Sequence, residues 1–309
     1  MKKNTVKTVV LFLIVIFIFS SCAIMNSLGN VIETAGVLTP KNTPGSALLT
    51  SLGKSVSSVA KATSPITPEQ EYYIGRSVAA SILNTYSVLD DKELTLYLNK
   101  ICQVLVLNSP KPNLYKGYVV AILDSPQINA FATSGGHILV TKGLISCATT
   151  EDSLAAIIAH EIAHIQLQHA IESIKSDRWT EAGFQTLGAA INVKNQGETK
   201  ELASLFSDTV NSIASSLINI GYSQSQEFDA DSTALSLMHN AGYEPHAMLE
   251  MLSLLQEKQP FSSGGFAKTH PSAQNRIEKI QSELKAYQRK PIPEIRYTRF
   301  TTAISSLSK

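Results

Sequence analysis

The stretch "IIAHEIAHIQLQH" at residues 157–169 constrains this chain more than any other segment. Its apolar residues predict a buried helix that opens at Thr150 and runs to about Lys175. Because positions four apart lie on one face of a helix, His160 and His164 can aim their imidazole nitrogens at one point. Buried polar groups need partners, so this pattern calls for a specific arrangement around both rings.

The spacing of these histidines fits a metal site built on one helix. Zinc accepts histidine nitrogens at about 2.0–2.1 Å. Glu161 follows the first histidine and can act as general base toward a water at the metal without binding the metal itself. The sequence therefore predicts one Zn²⁺ per chain. The alternative is a pair of core histidines with satisfied hydrogen bonds beside a salt-bridged glutamate.

A catalytic zinc site usually takes a third protein ligand, and the segment "EFDAD" offers one. Glu227 and Asp231 are four apart on a predicted helix over 224–240, so they share a face. Glu227 can bind the metal, while Asp231 can accept a hydrogen bond from a ligand histidine and fix its tautomer. The alternative is a solvated acidic face.

The N-terminus is typical of an export signal, predicted over residues 1–21. Three lysines precede the 11-residue apolar run Val9 to Phe19, which is too short for a permanent membrane span. The run ends at "FSSC", which resembles a bacterial lipobox in which Cys22 would carry the lipid. Ala23 favours the outer membrane by analogy with enterobacterial sorting, so we expect a lipoprotein on its periplasmic side. The alternative is ordinary cleavage near Ser21 and a soluble product.

The rest of the chain is expected to form a lipidated tether over 22–66, a folded domain over 67–290 and a C-terminal tail over 291–309. The predicted fold class is α+β, mostly helical, with a small sheet beside the zinc-binding helix. Strands are predicted at 118–123, 128–133 and 137–141. Helices are predicted at 67–86, 90–107, 150–175, 224–240, 246–258 and 272–287.

Charge and cysteine content bear on two further properties, the binding of nucleic acid and the formation of a disulfide. With 26 basic and 25 acidic residues the net charge is +1, so a nucleic-acid partner is not expected. Export implies an oxidising space, in which Cys102 and Cys147 could pair. Two buried thiols are the alternative.

Four stretches occur in an order that matches a known family. They are "NAFATSGGHILVTKGLI" at 129–145, "HEIAHIQLQH" at 160–169, "EFDADSTAL" at 227–235 and "THPSAQNRI" at 269–277. Over residues 68–287 the chain resembles the zinc metallopeptidases that include HtpX and the CAAX prenyl endopeptidases, and is most similar to small exported lipoprotein members. The resemblance implies a gluzincin-type fold.

The resemblance also implies roles for single residues. It makes His160, His164 and Glu227 the zinc ligands, Glu161 the catalytic base and Asp231 the acid behind a ligand. It places His270 near the metal, as an inhibitory fourth ligand or as a transition-state donor; the alternative is a structural histidine before a proline. One departure is Gln224, where family members often carry an arginine.

Three further segments carry weaker predictions. In similar zinc proteases a sheet edge beside the metal helix receives the substrate as an added strand, so Asn129, Ala130 and Phe131 are candidate substrate contacts; core packing explains them equally well. His169 is expected to pack or hydrogen-bond. The long connection 176–220 separates the two halves of the site and is a candidate lid.

The function predicted from the sequence is a zinc-dependent endopeptidase of the bacterial envelope that hydrolyses unfolded or misassembled exported proteins. Two alternatives stay open. One is a periplasmic chaperone or assembly factor whose protease site is latent, and the other is a structural zinc lipoprotein. A partner in the envelope assembly machinery is expected by analogy alone.

Overall fold

The computed structural model describes residues 67–172, 210–258, 265–271 and 273–308. The predicted export signal, Cys22, the tether and most of the candidate lid lie outside the described residues. Within the described part of the chain, no helix is long and apolar enough to cross a bilayer.

Helices dominate the described chain. They are α1 (Pro68–Ile82), α2 (Lys92–Leu107), α3 (Lys142–Ile145), α4 (Glu151–Gln166), α5 (Gln224–Asn240), α6 (His246–Lys258), α7 (Phe266–Thr269), α8 (Ala273–Glu283) and α9 (Glu294–Ile304). A further helical stretch covers 210–219 and precedes α5. Together with a three-stranded sheet, these helices confirm the predicted α+β class.

The two helices that carry the site begin at fixed residues. Thr150 before α4 and Ser223 before α5 both form capping boxes, in which the cap side chain accepts from the third helical N–H and that residue's side chain reciprocates. These caps satisfy N–H groups in the first turn and fix where each helix begins.

A small sheet lies against one side of α4. Its strands are β1 (Val119–Leu123), β2 (Ala130–Thr133) and β3 (His137–Thr141), in the order β1-β3-β2. β3 pairs parallel with β1 and antiparallel with β2. A tight turn over Ser134–Gly136 joins β2 to β3. Gly135 adopts a φ of 73° there, and a Cβ on it would lie 2.4 Å from the Tyr72 Cα.

Helix α4 is the centre of the core, and every one of its residues is buried. Helices α2, α5 and α6 and the strands β2 and β3 pack around it. The predicted end near Lys175 is wrong, because α4 ends at Gln166. The chain then turns at Gln168, whose φ is 58° and whose side-chain amide donates to Glu71 at 3.0 Å. A side chain in the left-handed region interrupts the helix.

The segment predicted as a C-terminal tail contains α9. Its Phe300 is 3% exposed and belongs to the main hydrophobic core. Arg296 and Arg299 on the same helix bind Asp152 and Glu151 at the start of α4. Residues beyond 290 therefore hold the first turn of the central helix.

The two cysteines of the described chain, Cys102 and Cys147, are both buried and both free. Of the two readings left open by the sequence, the structure shows two buried thiols.

Candidate metal centre

Five polar side chains meet in the interior at one end of α4. Helix α4 supplies His160, Glu161 and His164, helix α5 supplies Glu227, and His270 follows directly after α7. None of the five is more than 2% exposed. Residues far apart in the sequence are thus gathered into one buried cluster.

The nitrogen and oxygen atoms of four of these residues are spaced like the ligands of one metal ion. The ligand atoms of His160, His164, Glu227 and His270 all lie within 4.8 Å of one another. His160 Nε2 is 3.0 Å from His164 Nε2 and 3.3 Å from His270 Nδ1. Glu227 Oε1 is 3.4 Å from His164 Nε2 and 3.0 Å from His270 Nδ1.

A tetrahedral site predicts just such distances. With zinc–nitrogen bonds of about 2.0–2.1 Å, ligand atoms at the corners of a tetrahedron stand about 3.3 Å apart. The four measured separations, between 3.0 and 3.4 Å, surround this value. The donor set of three imidazoles and one carboxylate is one that zinc accepts.

The charges of the cluster also favour the binding of a divalent cation. Glu161, Glu227 and Asp231 bring three buried carboxylates, and Arg276 is the only buried lysine or arginine of the described chain. When the histidines are neutral, as the ligands of a metal ion are, three ionised carboxylates against one guanidinium leave an excess of two negative charges. Buried charge needs compensation, and a divalent cation at the centre of the four ligands supplies it.

Glu161 stands apart from the other carboxylates. It is fully buried, and neither of its oxygens has a hydrogen-bond partner within the described chain. Across the site, His270 Nε2 lies 3.8 Å from its Oε1. Burial raises the pKa of Glu161 above its usual range. We call the centre of the four ligand atoms the metal point. A carboxylate beside it that has no hydrogen bonds can accept and donate protons.

Other groups orient the two histidines of α4. His160 Nδ1 lies 2.9 Å from Asp231 Oδ1, as predicted for an acid behind a ligand histidine. His164 Nδ1 lies 2.9 Å from His169 Nδ1, because the break at the end of α4 turns His169 back toward it. In both residues Nδ1 is engaged on the outside, which leaves Nε2 for the metal point.

The protonation of the ligands follows from burial and neighbours. Burial lowers the pKa of His164 well below its usual value. For His160, burial and the charge of Arg276 also act downward, but the bonds to Asp231 and Glu227 outweigh them and raise the pKa to about 9. Glu227 is kept ionised: burial alone would raise its pKa, but the charges of His270 and Arg276 hold it well below the usual range.

The segment that carries His270 closes the site from one side. Its Thr269 hydroxyl donates to Asn129 Oδ1 at 3.0 Å, and its Thr269 carbonyl accepts from the Tyr222 N–H at 3.0 Å. The Phe266 ring stacks on His270, with ring centres 4.2 Å apart. Two parts of the chain, at 129 and at 222, therefore hold this segment in place.

The three residues predicted to contact substrate are all buried. Asn129, Ala130 and Phe131 are between 1% and 2% exposed. Asn129 is engaged with Thr269 and with its neighbouring backbone N–H. Their substrate role stays a prediction.

Sequence reasoning missed two residues of the site. The Tyr222 ring stacks on His164 at 3.8 Å, and its hydroxyl donates to the Ala132 carbonyl of β2 at 3.2 Å. Arg276 contacts both Glu227 and Asp231. Gln224, which stands where family members often have arginine, is exposed at the first position of α5.

Comparison with known proteins places the chain in a family. The model of peptidase family M48 matches residues 92–284, which is more than half of the chain. The chain therefore belongs to peptidase family M48, and the metallopeptidase class predicted from its motifs is confirmed.

Curated relatives have names that agree with this class. The chain is 25% identical over 229 residues to the beta-barrel assembly-enhancing protease of Escherichia coli K12, covering 72% of this chain and 45% of that protein. It is 28% identical over 196 residues to the mitochondrial metalloendopeptidase OMA1 of Schizosaccharomyces pombe, covering 62% and 53%. It is 29% identical over 224 residues to the protease HtpX homolog of Acaryochloris marina, covering 60% and 70%. The chain thus spans about half the length of the first two.

Proposed function

We propose that this chain is a zinc-dependent endopeptidase. One observation carries the proposal: four ligand atoms, all within 4.8 Å of one another, lie beside a buried glutamate that has no hydrogen-bond partner within the described residues. The ligands are His160, His164, Glu227 and, in the closed form, His270. Glu161 is the glutamate, and a site built only to hold a structure would have no use for it.

The chain's own residues divide the reaction between them. When bound, a zinc ion polarises a peptide carbonyl and lowers the pKa of water. Glu161 accepts the proton of the attacking water and passes it to the nitrogen of the departing amine. Burial raises the pKa of Glu161 above its usual range, which makes it a stronger base toward the water. Asp231 and His169 hold the rings of His160 and His164 in place.

The structure is that of a latent enzyme under this proposal. His270 Nδ1 occupies the fourth ligand position, and its ring lies between the metal point and Glu161. A peptide cannot reach Glu161 until the segment 265–270 moves away. Of the two roles that resemblance allows for His270, the inhibitory fourth ligand therefore has the stronger support.

The proposed substrates are unfolded or misassembled exported proteins of the bacterial envelope. Support comes from the predicted export signal at 1–21, the lipobox-like Cys22 and the name of the Escherichia coli relative. The proposed location is the periplasmic side of the outer membrane, with a lipid anchor at Cys22. The envelope assembly machinery is the proposed partner.

A second function deserves its own test, because the site is so completely covered. The four ligand side chains are at most 2% exposed. This favours a periplasmic chaperone or assembly factor whose protease is switched on by a partner. In that case the wild-type chain is silent in a simple assay, but release of the fourth ligand uncovers the activity.

The deciding experiment measures casein cleavage by the purified, zinc-loaded full-length chain. Glu161→Gln keeps the size of the side chain but removes the base, and its control is Glu250→Gln, which changes a surface glutamate that is 57% exposed. His270→Ala opens the fourth position, and its control is His239→Ala on the exposed side of α5.

The outcomes separate the readings. Loss of cleavage by about 10²- to 10⁴-fold in Glu161→Gln, with normal zinc content, supports the peptidase and its base. Cleavage only in His270→Ala supports the latent form. If no zinc-loaded variant cleaves casein, the endopeptidase proposal fails and the structural zinc protein takes its place.

A further inference from the structure

Arg276 is the largest fully buried side chain of the described residues, and its exposed fraction is 1%. It lies on α8, six residues after His270, and it had no role in the sequence-based predictions. A buried guanidinium is costly unless its donors are satisfied by charged partners. The groups that bind the Arg276 guanidinium therefore indicate the role of this side chain.

All of its charged contacts go to two carboxylates of α5. Nε and Nη2 donate to Asp231 Oδ2 and Oδ1, each at 2.7 Å, so the guanidinium holds this carboxylate with two parallel bonds. Nη1 forms an ion pair with Glu227 Oε2 at 2.7 Å, without the geometry of a hydrogen bond. One planar group thus fixes both carboxylates at once, which a lysine ammonium cannot do with the same geometry.

The contact with Glu227 divides the two oxygens of that carboxylate. Oε2 lies 2.7 Å from Arg276 Nη1 and 3.5 Å from His160 Nε2, while Oε1 lies 3.0 Å from His270 Nδ1. The guanidinium is thus beside one oxygen only, and the other oxygen faces the remaining ligands. This contact restrains the rotation of the carboxylate.

The contact with Asp231 acts on a second ligand. Asp231 Oδ1, held by Arg276, lies 2.9 Å from His160 Nδ1. Fixing the carboxylate fixes the plane of the imidazole, and with it the direction of His160 Nε2. Two of the four ligands are thus oriented through one side chain.

We propose that Arg276 is the positioning residue of the metal centre. It presets Glu227 and His160 for metal binding, and it makes retention of the metal depend on the geometry of its guanidinium. This inference rests on the zinc site of the proposed function. Two effects oppose each other: the positive charge repels a divalent cation, while the fixed ligands favour it. We expect the second effect to dominate, because freely rotating ligands would need to be ordered on binding.

The test compares two arginine-to-lysine substitutions in the full-length chain. Arg276→Lys keeps the positive charge but removes the planar guanidinium that holds Asp231 with two parallel bonds. Arg296→Lys makes the same change in an arginine of α9 that binds Asp152 Oδ1 and the Gly242 carbonyl, away from the four ligand residues. The measurement is the rate and affinity of zinc transfer to a chromophoric chelator, with circular dichroism as a check of folding. The visible spectrum of the cobalt-substituted protein reports on ligand geometry.

We expect Arg276→Lys to bind zinc about 10- to 100-fold more weakly and to change the cobalt spectrum. Arg296→Lys is expected to lower thermal stability but to leave zinc binding and the spectrum unchanged. Equal zinc binding in both variants, with only stability reduced, would show that Arg276 is merely structural and overturn the proposal.

A second variant covers the case in which Arg276→Lys does not fold. Asp231→Asn keeps the shape of the side chain but removes the charge that links Arg276 to His160. The same loss of zinc affinity is expected, and wild-type affinity would refute the positioning role. If the wild-type chain binds no zinc at all, the proposed function itself is wrong and this inference falls with it.

Discussion

The two ends of helix α4 treat buried carboxylates differently. At its start, Glu151 and Asp152 are at most 1% exposed, and each has its own arginine from α9. At its other end are three buried carboxylates, and Arg276 is the only buried lysine or arginine of the described residues. One end is neutral by itself, whereas at the other end, when the histidines are neutral, ionised carboxylates outnumber the positive side chains by two.

This difference distinguishes a structural ion pair from a functional site. Both ends contain acidic side chains that sequence patterns place on a buried helix. Only the balance of partners separates them, because a structural carboxylate is satisfied within the protein and a functional one is not. Four predictions test this comparison, beginning with the largest expected effect.

Removal of metal should destabilise the protein strongly, because the charge at the second end of α4 then loses its compensation. For a metal present at about a thousand times its dissociation constant, the loss is about 4 kcal/mol. The measurement is the thermal midpoint with and without a zinc chelator, and added zinc should restore it. An unchanged midpoint would mean that this end of α4 is neutral without metal.

Arg296→Met should also destabilise the protein, but equally with and without zinc. The substitution leaves Asp152 buried without its cation, a loss of about 1.5–3 kcal/mol. Denaturant unfolding measures it, and Arg289→Met, at an arginine that is 64% exposed, is the control with little expected effect. A loss that depends on zinc would show that the two ends are coupled.

Thr150→Ala should cost about 1 kcal/mol, because it removes the capping box that starts α4. Thr150→Ser keeps the hydroxyl and should retain most of the stability. Both effects are measured by denaturant unfolding with zinc present. If Thr150→Ala instead reduces zinc binding sharply, the phase of the helix depends on its cap more than on its packing.

Asp91 represents a third kind of carboxylate, which caps α2 near the surface. Bonds from the Ser306 hydroxyl and the Leu94 N–H lower its pKa. Its stabilising effect is therefore complete at neutral pH, above its unfolded pKa, and is lost as the pH falls through the lowered folded value.

Asp91→Asn keeps a good cap but does not titrate. We expect it to resemble the wild type at pH 7 and to lose less stability than the wild type between about pH 5 and 3. Parallel denaturation curves at each pH provide the measurement. Identical pH dependence in the two proteins would contradict the contribution of Asp91.

Local sequence signals predicted much of the fold. β3 and helices α5 and α6 lie within the predicted bounds, because caps, glycine and hydrophobic alternation mark their ends. Helix α1 was predicted four residues too long. The end of α4 was missed because Gln168 takes its left-handed conformation from a bond to Glu71, 97 residues away, and no local pattern reveals this.

The site was predictable where it is built on helical spacing. His160 and His164, like Glu227 and Asp231, are four residues apart, so the sequence alone brings each pair to one face, and Glu161 adjoins the first histidine. Arg276 and Tyr222 were not predictable, since they enter the site through the packing of α8 and of residue 222 against α5 and β2. A lone arginine on a polar helix is usually exposed.

The two free thiols have a practical consequence. Cys102 is fully buried, and burial raises its pKa to about 12, so it is inert while the core is closed. Since the described domain contains no disulfide, its folding does not depend on oxidation, and a reducing cytoplasm is a suitable place to produce it. The rate at which Cys102 is alkylated then measures how often the core opens, because a molecule must leave its native state before the thiol can react.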